Sequence, residues 1–278
     1  MSARELVSST SAYLRRHGVP QARLDAELLL AHVLDVERIG LYLGSAGTPS
    51  ATQCDRHWDL VRQRALQRVP LAYLTGVREF WSQPFWVTRD VLIPRPETET
   101  LVEVALAVRP ERVLEIGVGS GAVTGALALE LPRTRFVAVE RSRQALAVAR
   151  VNLERLGVAA RVSLVRGDGS CGLRGPFDLI VSNPPYIPSG ELGRLPPEVQ
   201  NEPTLALDGG PDGLSFVRRL VADAPALLAR SGCLVLEVGR GQAGAVREEL
   251  IRVGAPAIET ARDLAGVERV VLARFRED

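Results

Sequence analysis

The residues best placed to do chemistry lie in one run, Leu179-Ile180-Val181-Ser182-Asn183-Pro184-Pro185-Tyr186. Its apolar start reads as the end of a buried strand, and two consecutive prolines then stiffen the backbone. Neither proline has an N–H, so the stretch presents carbonyl oxygens with little competition. Asn183 adds a side-chain amide oxygen and Tyr186 an aromatic face. Such a set suits a planar nitrogen, either a carboxamide or an exocyclic amino group. That nitrogen is a weak nucleophile because its lone pair is delocalised. Accepting both of its N–H groups, on the Asn183 side chain and the Pro184 carbonyl, favours pyramidalisation and aims the lone pair at an electrophilic methyl group. Tyr186 would stack on the planar group and exclude water. This is catalysis by orientation and electrostatics rather than by a strong base. It also fits the histidine distribution, since His17, His32 and His57 all precede the chain's second half.

A second constellation precedes it. Glu115-Ile116-Gly117-Val118-Gly119-Ser120-Gly121 follows a predicted strand and opens a predicted helix. Glycines there let the backbone turn tightly and approach a ligand closely. Glu140 ends the next strand, about 20 residues on, where an acid can accept from both hydroxyls of a ribose. Asp168, in Arg166-Gly167-Asp168-Gly169, ends the strand after that and can receive an adenine amino group. A dinucleotide enzyme shares the acid but spaces its glycines as GxGxxG. Taken singly, each acid reads as a solvated strand end. Three such features at successive strand ends of one sheet lie where open α/β sheets bind ligands.

Positioning them requires alternating strands and helices. Short apolar runs at Val113–Ile116, Phe136–Val139, Val162–Val165, Leu179–Val181, Leu234–Val238 and Val270–Phe275 read as buried strands. Helix-like stretches at Ala122–Glu130, Gln144–Leu156 and Leu214–Ala229 lie between them. The alternation predicts a parallel sheet covered by helices on both faces. Residues up to about Leu74 read instead as a helical bundle. Leu24, Leu28, Ala31 and Val33–Leu34 form one apolar face, with Asp25 and Glu27 on the polar side. His57, Leu60, Val61, Arg64, Ala65 and Arg68 continue a second segment, and Gly44 to Pro49 separates the two. Phe80, Trp81, Phe85, Trp86 and Val87, interrupted by Ser82-Gln83-Pro84, predict a β-hairpin. Leu92 to Pro96 must be extended, with a helix from about Glu97. The expected organisation is a helical domain over residues 1–75, a hairpin linker over 76–95 and an α/β domain over 96–278.

Composition narrows the function classes. A net charge of +1 provides no global basic field for non-specific nucleic-acid binding. All 34 basic residues are arginine, which reads as a GC-rich genome. Cys54, Cys171 and Cys233 form no CxxC, so neither a disulfide framework nor a zinc knuckle is expected. Cys54 and His57 share a helical spacing without further ligands, which favours packing over metal. No apolar run reaches membrane-spanning length and no signal peptide is evident, so the expected location is cytoplasmic.

The chain resembles the release factor glutamine methyltransferases, a family of class I S-adenosylmethionine-dependent methyltransferases. The resemblance rests on Ile93-Pro94-Arg95-Pro96-Glu97-Thr98-Glu99, Asn183-Pro184-Pro185-Tyr186, Asn201-Glu202-Pro203 and Leu207-Asp208-Gly209-Gly210-Pro211-Asp212-Gly213-Leu214. Leu236-Glu237-Val238-Gly239 with Gln242, and Arg262-Asp263-Leu264-Ala265-Gly266, extend it over nearly the whole chain. It departs at Val118, where the family usually has threonine, and at Asn201, where an aromatic residue often stands. The resemblance implies a Rossmann-like, seven-stranded domain preceded by a small helical bundle and a hairpin linker. It implies transfer of a methyl group from S-adenosylmethionine to the glutamine N5 of the Gly-Gly-Gln loop in class I peptide chain release factors, releasing S-adenosylhomocysteine. By the same resemblance, Glu115, Gly117, Gly119, Gly121, Glu140, Asp168 and Asn183 lie along the cofactor. Asn183, Pro184, Pro185 and Tyr186 hold the acceptor glutamine, with Arg95, Glu97 and Glu202 bordering it. The helical domain would contact the release factor. For Arg95, Glu97 and Glu202 a helix cap and an Arg–Glu tie are equally good readings. An N6-adenine or N4-cytosine methyltransferase flipping a base into the same pocket is the alternative, disfavoured by near-neutral charge and the lack of a target-recognition insert.

Overall fold

The computed structural model describes residues 2–43 and 47–275. The chain forms two compact units: Met1–Val77 together with Pro196–Asn201, and Arg78–Leu195 together with Glu202–Asp278.

The first unit contains α1 (Ala3–Arg16), α2 (Ala22–Leu34), α3 (Gly40–Leu43), α4 (Ala51–Leu66) and α5 (Leu71–Thr75). Capping boxes start two of them, Ser2 with Glu5 at α1 and Ser50 with Gln53 at α4, each satisfying orphan N–H groups reciprocally. Leu6, Leu14, Leu29, Leu30, Val61 and Ala65 form the core. The expected polar side of α2 is wrong. Asp25 and Glu27 are buried, whereas Leu24 and Leu28 are half-buried. The reason is pairing: Asp25 accepts from Arg64 at 2.7 Å, and Glu27 from Arg23 at 3.0 Å and the Tyr42 hydroxyl at 2.5 Å. Arg64 and Arg68 also hold Glu198, at 2.8 and 2.6 Å. Burial raises the Asp25 carboxyl, and Arg64 opposes that rise. His57 is fully buried against the Thr10 hydroxyl at 2.8 Å, a packing role. Of the break expected at Gly44–Pro49, residues 44–46 lie outside the described residues, and Gly47 to Ser50 are non-helical.

The second unit, from Arg78, opens within a hairpin, β1 (Val77–Phe80) and β2 (Gln83–Trp86). Its turn is Trp81-Ser82, both left-handed at φ 52° and 54°, the conformation of a two-residue type I′ turn. Gln83 and Pro84 therefore belong to a strand rather than to the turn. Pro84 is tolerated because each strand of a two-stranded ribbon has an open edge. The hairpin is more than a linker. Phe80 and Phe85, edge-to-face at 6.0 Å, enter the core of this unit. Asn152 bonds both the N–H and the carbonyl of Trp86, at 2.7 and 2.8 Å.

Then follow α6 (Glu99–Val108), β3 (Arg112–Ile116), α7 (Ala122–Glu130), β4 (Arg135–Glu140), α8 (Arg143–Arg155), β5 (Val162–Arg166), β6 (Phe177–Ser182), α9 (Ser215–Leu227), β7 (Leu228–Glu237), α10 (Ala243–Arg252), β8 (Ala257–Arg262) and β9 (Glu268–Arg274). The helix expected from Glu97 begins as a 3-10 turn, Pro96–Thr98. The sheet has seven strands in the order β5-β4-β3-β6-β7-β9-β8. Six strands run in one direction, but β9 runs antiparallel between β7 and β8, so the all-parallel expectation fails at that edge. Strand β8 was not foreseen, because Ala257-Ile258-Glu259-Thr260-Ala261-Arg262 is an edge strand without a buried apolar run. Alternate residues feed two cores. Val113, Leu179, Val181 and Val235 pack with Leu101, Leu127 and Leu153, while Leu114, Ile180, Leu234 and Leu236 pack with Val217, Leu220 and Val246. Helices thus cover both faces. Among the described residues no helix is long and apolar enough to cross a membrane.

Candidate active site

A cavity of about 690 Å³ opens along the carboxyl ends of β3, β4, β5 and β6. It straddles β3, where the chain leaves one half of the sheet and begins the other, the usual ligand position in open α/β sheets. Its size suits a small organic ligand.

The glycine loop forms its floor. Gly117 and Gly119 have φ of 84° and 53°, and a Cβ on either would meet nothing within 4 Å. Their backbone therefore faces open space and stays there only without a side chain. Gly121 caps α7 and packs against Ala149, so its role is helix packing. Val118 is buried with Ala138 and Ala149 while lining the cavity.

Glu140 accepts from the Gly119 N–H at 3.1 Å and the Ser142 N–H at 2.8 Å, one on each oxygen. A carboxylate has about four lone-pair sites, so acceptor capacity remains toward the cavity that it lines. Glu115 is 2% exposed, accepts from the Thr124 N–H at 2.9 Å and its hydroxyl, and still borders the cavity. Burial pushes its carboxyl up to about 8, against the two Thr124 bonds. Asp168 lines the third strand end and pairs with Arg219 at 2.9 Å.

Asn183, Pro184 and Pro185 line the same cavity. Ser182 donates to the Ile116 carbonyl at 2.6 Å, which ties the ends of β6 and β3 together. The Asn183 Nδ2 donates to the Thr98 hydroxyl oxygen at 3.1 Å, leaving Oδ1 available. Tyr186 does not border the cavity. Its carbonyl accepts from Gln242 Nε2 at 2.9 Å, while Gln242 Oε1 accepts from the Gly239 N–H at 2.9 Å. Burial, with Glu237 nearby, pushes the Tyr186 phenol up to about 12, so it is neutral at physiological pH. Gly213 lies so close that a Cβ would sit 2.3 Å from the Tyr186 carbonyl oxygen. Ile187 bonds Leu207 and Gly209 through its N–H and carbonyl at 3.0 and 2.8 Å. The Leu207–Leu214 segment and Gln242 thus form a brace behind the Asn183–Tyr186 run.

Arg95 lines the cavity, but Glu97 is exposed and outside it. Glu202 is 5% exposed, and its oxygens accept from the Ile93 N–H at 3.0 Å and from Arg95. It is a strut holding the cavity wall. Asn201 donates to the carbonyls of Gln67, Arg68 and Pro197, all within the first unit. Sequence reasoning overlooked Thr98, Phe216 and Arg219. Thr98 was visible only as part of a motif. Phe216 and Arg219 line the cavity with the arginine 5.1 Å over the ring, and an aromatic opening a helix was the available signal.

Residues 5–76 match the PrmC N-terminal domain family and residues 96–193 the methyltransferase small domain family. The release factor glutamine methyltransferase of Geobacter sulfurreducens is 45% identical over 98% of this chain and 96% of its own. Those of Moorella thermoacetica and Deinococcus radiodurans are 42% and 41% identical, covering 100% and 99% of both chains respectively. The hMettl16 catalytic domain in complex with MAT2A 3'UTR hairpin 6 superposes with a TM-score of 0.60 at 16% identity, over 82% of this chain and 84% of that one. A methyltransferase from Pyrococcus furiosus gives 0.54 at 18% identity, over 82% and 100%. At such low identity these two establish only a shared methyltransferase fold. The full-length identities go further, and this chain belongs to the release factor glutamine methyltransferase family.

Proposed function

We propose that this protein transfers a methyl group from S-adenosylmethionine to the side-chain amide nitrogen of the glutamine in the Gly-Gly-Gln loop of class I peptide chain release factors, in the cytoplasm. The observation that carries the reading is Asn183, held with Oδ1 free, at the edge of a cavity that also bears Glu140 and Asp168. The cavity fits the cofactor on its own terms. Gly117 and Gly119 expose backbone to open space, Glu140 keeps spare acceptor sites for ribose hydroxyls, and Asp168 can accept from an adenine amino group. Phe216 and Arg219 offer flat surfaces beside it. When bound, S-adenosylmethionine supplies an electrophilic methyl group.

The chain's own residues act on the acceptor. Asn183 Oδ1 and the Pro184 carbonyl accept the two N–H groups of the glutamine amide, weakening its conjugation and fixing its lone pair. Pro185 flanks the side chain. Tyr186, neutral and braced by Gln242 and Gly213, keeps water out. Arg95 borders the acceptor and Glu202 fixes Arg95. Glu97 is assigned to the outer rim. The helical unit is the release-factor recognition module, and stable nucleic-acid binding plays no part. Methylation needs no strong base, because the nitrogen loses its proton, to solvent, only after the methyl bond has formed.

The test is tritiated methyl transfer to three acceptors: a release factor, its Gly-Gly-Ala variant and duplex DNA. Label on the first alone is the expected result. Label on DNA would move the Asn183 pocket to a flipped base, and label on the Gly-Gly-Ala variant would move the acceptor to another residue.

A further inference from the structure

The end of the cavity that bears Asp168 is built by two segments, the turn Gly167-Asp168-Gly169 after β5 and the first turns of α9. Phe216, Arg219 and Asp223 are spaced three and four residues apart, so one face of α9 meets that turn. Two side-chain bonds tie the segments together. Arg219 Nη2 donates to Asp168 Oδ1 at 2.9 Å, and Ser170 Oγ donates to the Asp223 carboxylate. Phe216 packs against the core, and the Arg219 guanidinium carbon stands 5.1 Å from the centre of its ring.

The guanidinium also lies flat on Gly169. From the position that a Cβ on Gly169 would take, Nη2, Nε and Cζ of Arg219 stand at 3.1, 3.4 and 3.5 Å. Three atoms of a planar group nearly equidistant from one point present the face of that group, not its edge. Arg219 thus fills the space that a side chain at residue 169 would occupy, and the missing Cβ is what admits it. An ion pair alone does not require this arrangement, since a lysine would pair with Asp168 as a point charge. Nor does stability require it, because both side chains are nearly half exposed, at 45% and 46%, and such pairs contribute little. Asp168 meets Arg219 through Oδ1, which leaves Oδ2 for a donor in the cavity.

We infer that Arg219 is a cofactor-binding residue: its guanidinium plane is the surface on which the purine base of S-adenosylmethionine stacks, while Asp168 Oδ2 accepts from the amino group of that base. The inference rests on the placement of the base at Asp168 proposed above. Bases stack on guanidinium planes as they do on aromatic rings, and a cation against a π system adds electrostatic attraction. The bond to Asp168 keeps the plane from turning, and Phe216 supports it from the core side. One side chain therefore fixes the carboxylate that reads the base and supplies the face on which the base lies.

The experiment uses the full-length protein without acceptor. Calorimetry measures its affinity for S-adenosylhomocysteine and for 5′-methylthioadenosine, which keeps the base and lacks the amino-acid end. R219A should weaken both by roughly 10-fold to 30-fold, the scale of one base stacked on a planar side chain. R219K keeps the charge but has no plane, so it should lose nearly as much. G169A puts a Cβ against the guanidinium and should cost about 3-fold, while the double variant G169A/R219A should bind no worse than R219A, because the two residues act at one contact. Ligand-free R219A should melt within about 2 °C of wild type, since the ion pair is exposed. Should it melt lower, R219K and G169A carry the comparison. Unchanged or tighter binding by R219A would overturn the inference, making the arginine a plug that the base displaces. Full rescue by R219K would overturn it too, leaving charge without stacking, and so would a loss confined to S-adenosylhomocysteine. D168A tests the placement underneath. Unchanged affinity in D168A would remove the base from Asp168, whereas weakened D168A beside wild-type R219A would sink the stacking surface alone.

Discussion

At the scale of single residues the site divides labour between side chains that face the cavity and side chains that hold them. Asn183 faces it, and if it acts on the acceptor as proposed, Asn183→Ala should abolish most turnover, by roughly 100-fold or more. Calorimetry should find S-adenosylmethionine binding almost unchanged, and equal losses in both would show Asn183 to be a cofactor ligand. Glu140 has the opposite signature. Glu140→Ala should weaken cofactor binding on the order of 30-fold, about 2 kcal/mol for charge-assisted hydrogen bonds. Unchanged affinity in that variant would remove Glu140 from the cofactor's contacts. Glu115 yields a pH prediction. Its folded carboxyl stands near 8 because it is buried, well above the ordinary 4.5. A group raised on folding stabilises fully below its unfolded value and loses that contribution as pH rises through the folded one. Thermal midpoints should therefore decline between about pH 5 and 8, and more gently in Glu115→Gln. A cationic ligand beside Glu115 favours the ionised form. Binding of S-adenosylmethionine at pH 7 should consequently release protons to buffer, and calorimetry in buffers of different ionisation heat would show no release if Glu115 is uninvolved.

At the scale of elements, strand ends deliver the cavity-facing residues and loops from elsewhere brace them. The brace is tightest at Gly213, whose φ is 79° and where a Cβ would lie 2.3 Å from the Tyr186 carbonyl and 2.7 Å from Gln242 Nε2. Gly213→Ala should cost about 1–3 kcal/mol from backbone strain and displacement. It should also lower turnover, because the displaced segment after β6 carries Asn183, while leaving cofactor affinity within a few-fold; undiminished stability and turnover would mean that this segment is slack. The difference between strand ends and braces also explains what could be read from the sequence. Strands such as Val113–Ile116 and Leu179–Val181 are buried on both faces, so they announce themselves as apolar runs, and the residues after them fall automatically at one edge of the sheet. Strand β8 at the other edge is hidden, since it holds only exposed and half-buried residues and contributes no apolar run. The turn at Trp81-Ser82 was misplaced because neither residue is a usual occupant of left-handed backbone. Thr98, Glu202 and Gln242 act through partners distant in sequence, and spacing carries no trace of such contacts.

At the scale of the molecule, the helical unit is held together partly by charge. Asp25, Arg64, Arg68 and Glu198 form a partly buried ion network, and Glu198 reaches it from Pro196–Asn201, a segment that the sequence places between Tyr186 and Glu202. The amphipathic reading of α2 failed at this network, because an isolated helix gives no sign that an acid will be met by an arginine 39 positions on. Removing Arg64 leaves Asp25 buried without its hydrogen-bond donor, while Glu198 keeps Arg68, so Arg64→Ala should destabilise this unit by about 3 kcal/mol. The unit also keeps apolar side chains in solvent: Ile39, Leu43 and Leu66 are 57%, 75% and 59% exposed. Single exposed apolar residues are ordinary, but apolar anchors carry much of the energy of protein interfaces. If the helical unit recognises the release factor away from its Gly-Gly-Gln loop, these are the side chains to replace. Ile39→Ser, Leu43→Ser and Leu66→Ser combined should lower kcat/KM toward the whole release factor by roughly 10-fold or more. The same variant should methylate a short Gly-Gly-Gln peptide as wild type does, because the peptide has nothing to offer the helices. Equal losses on both acceptors would mean that the substitutions had disturbed folding. No loss on either would move recognition to another face of the molecule.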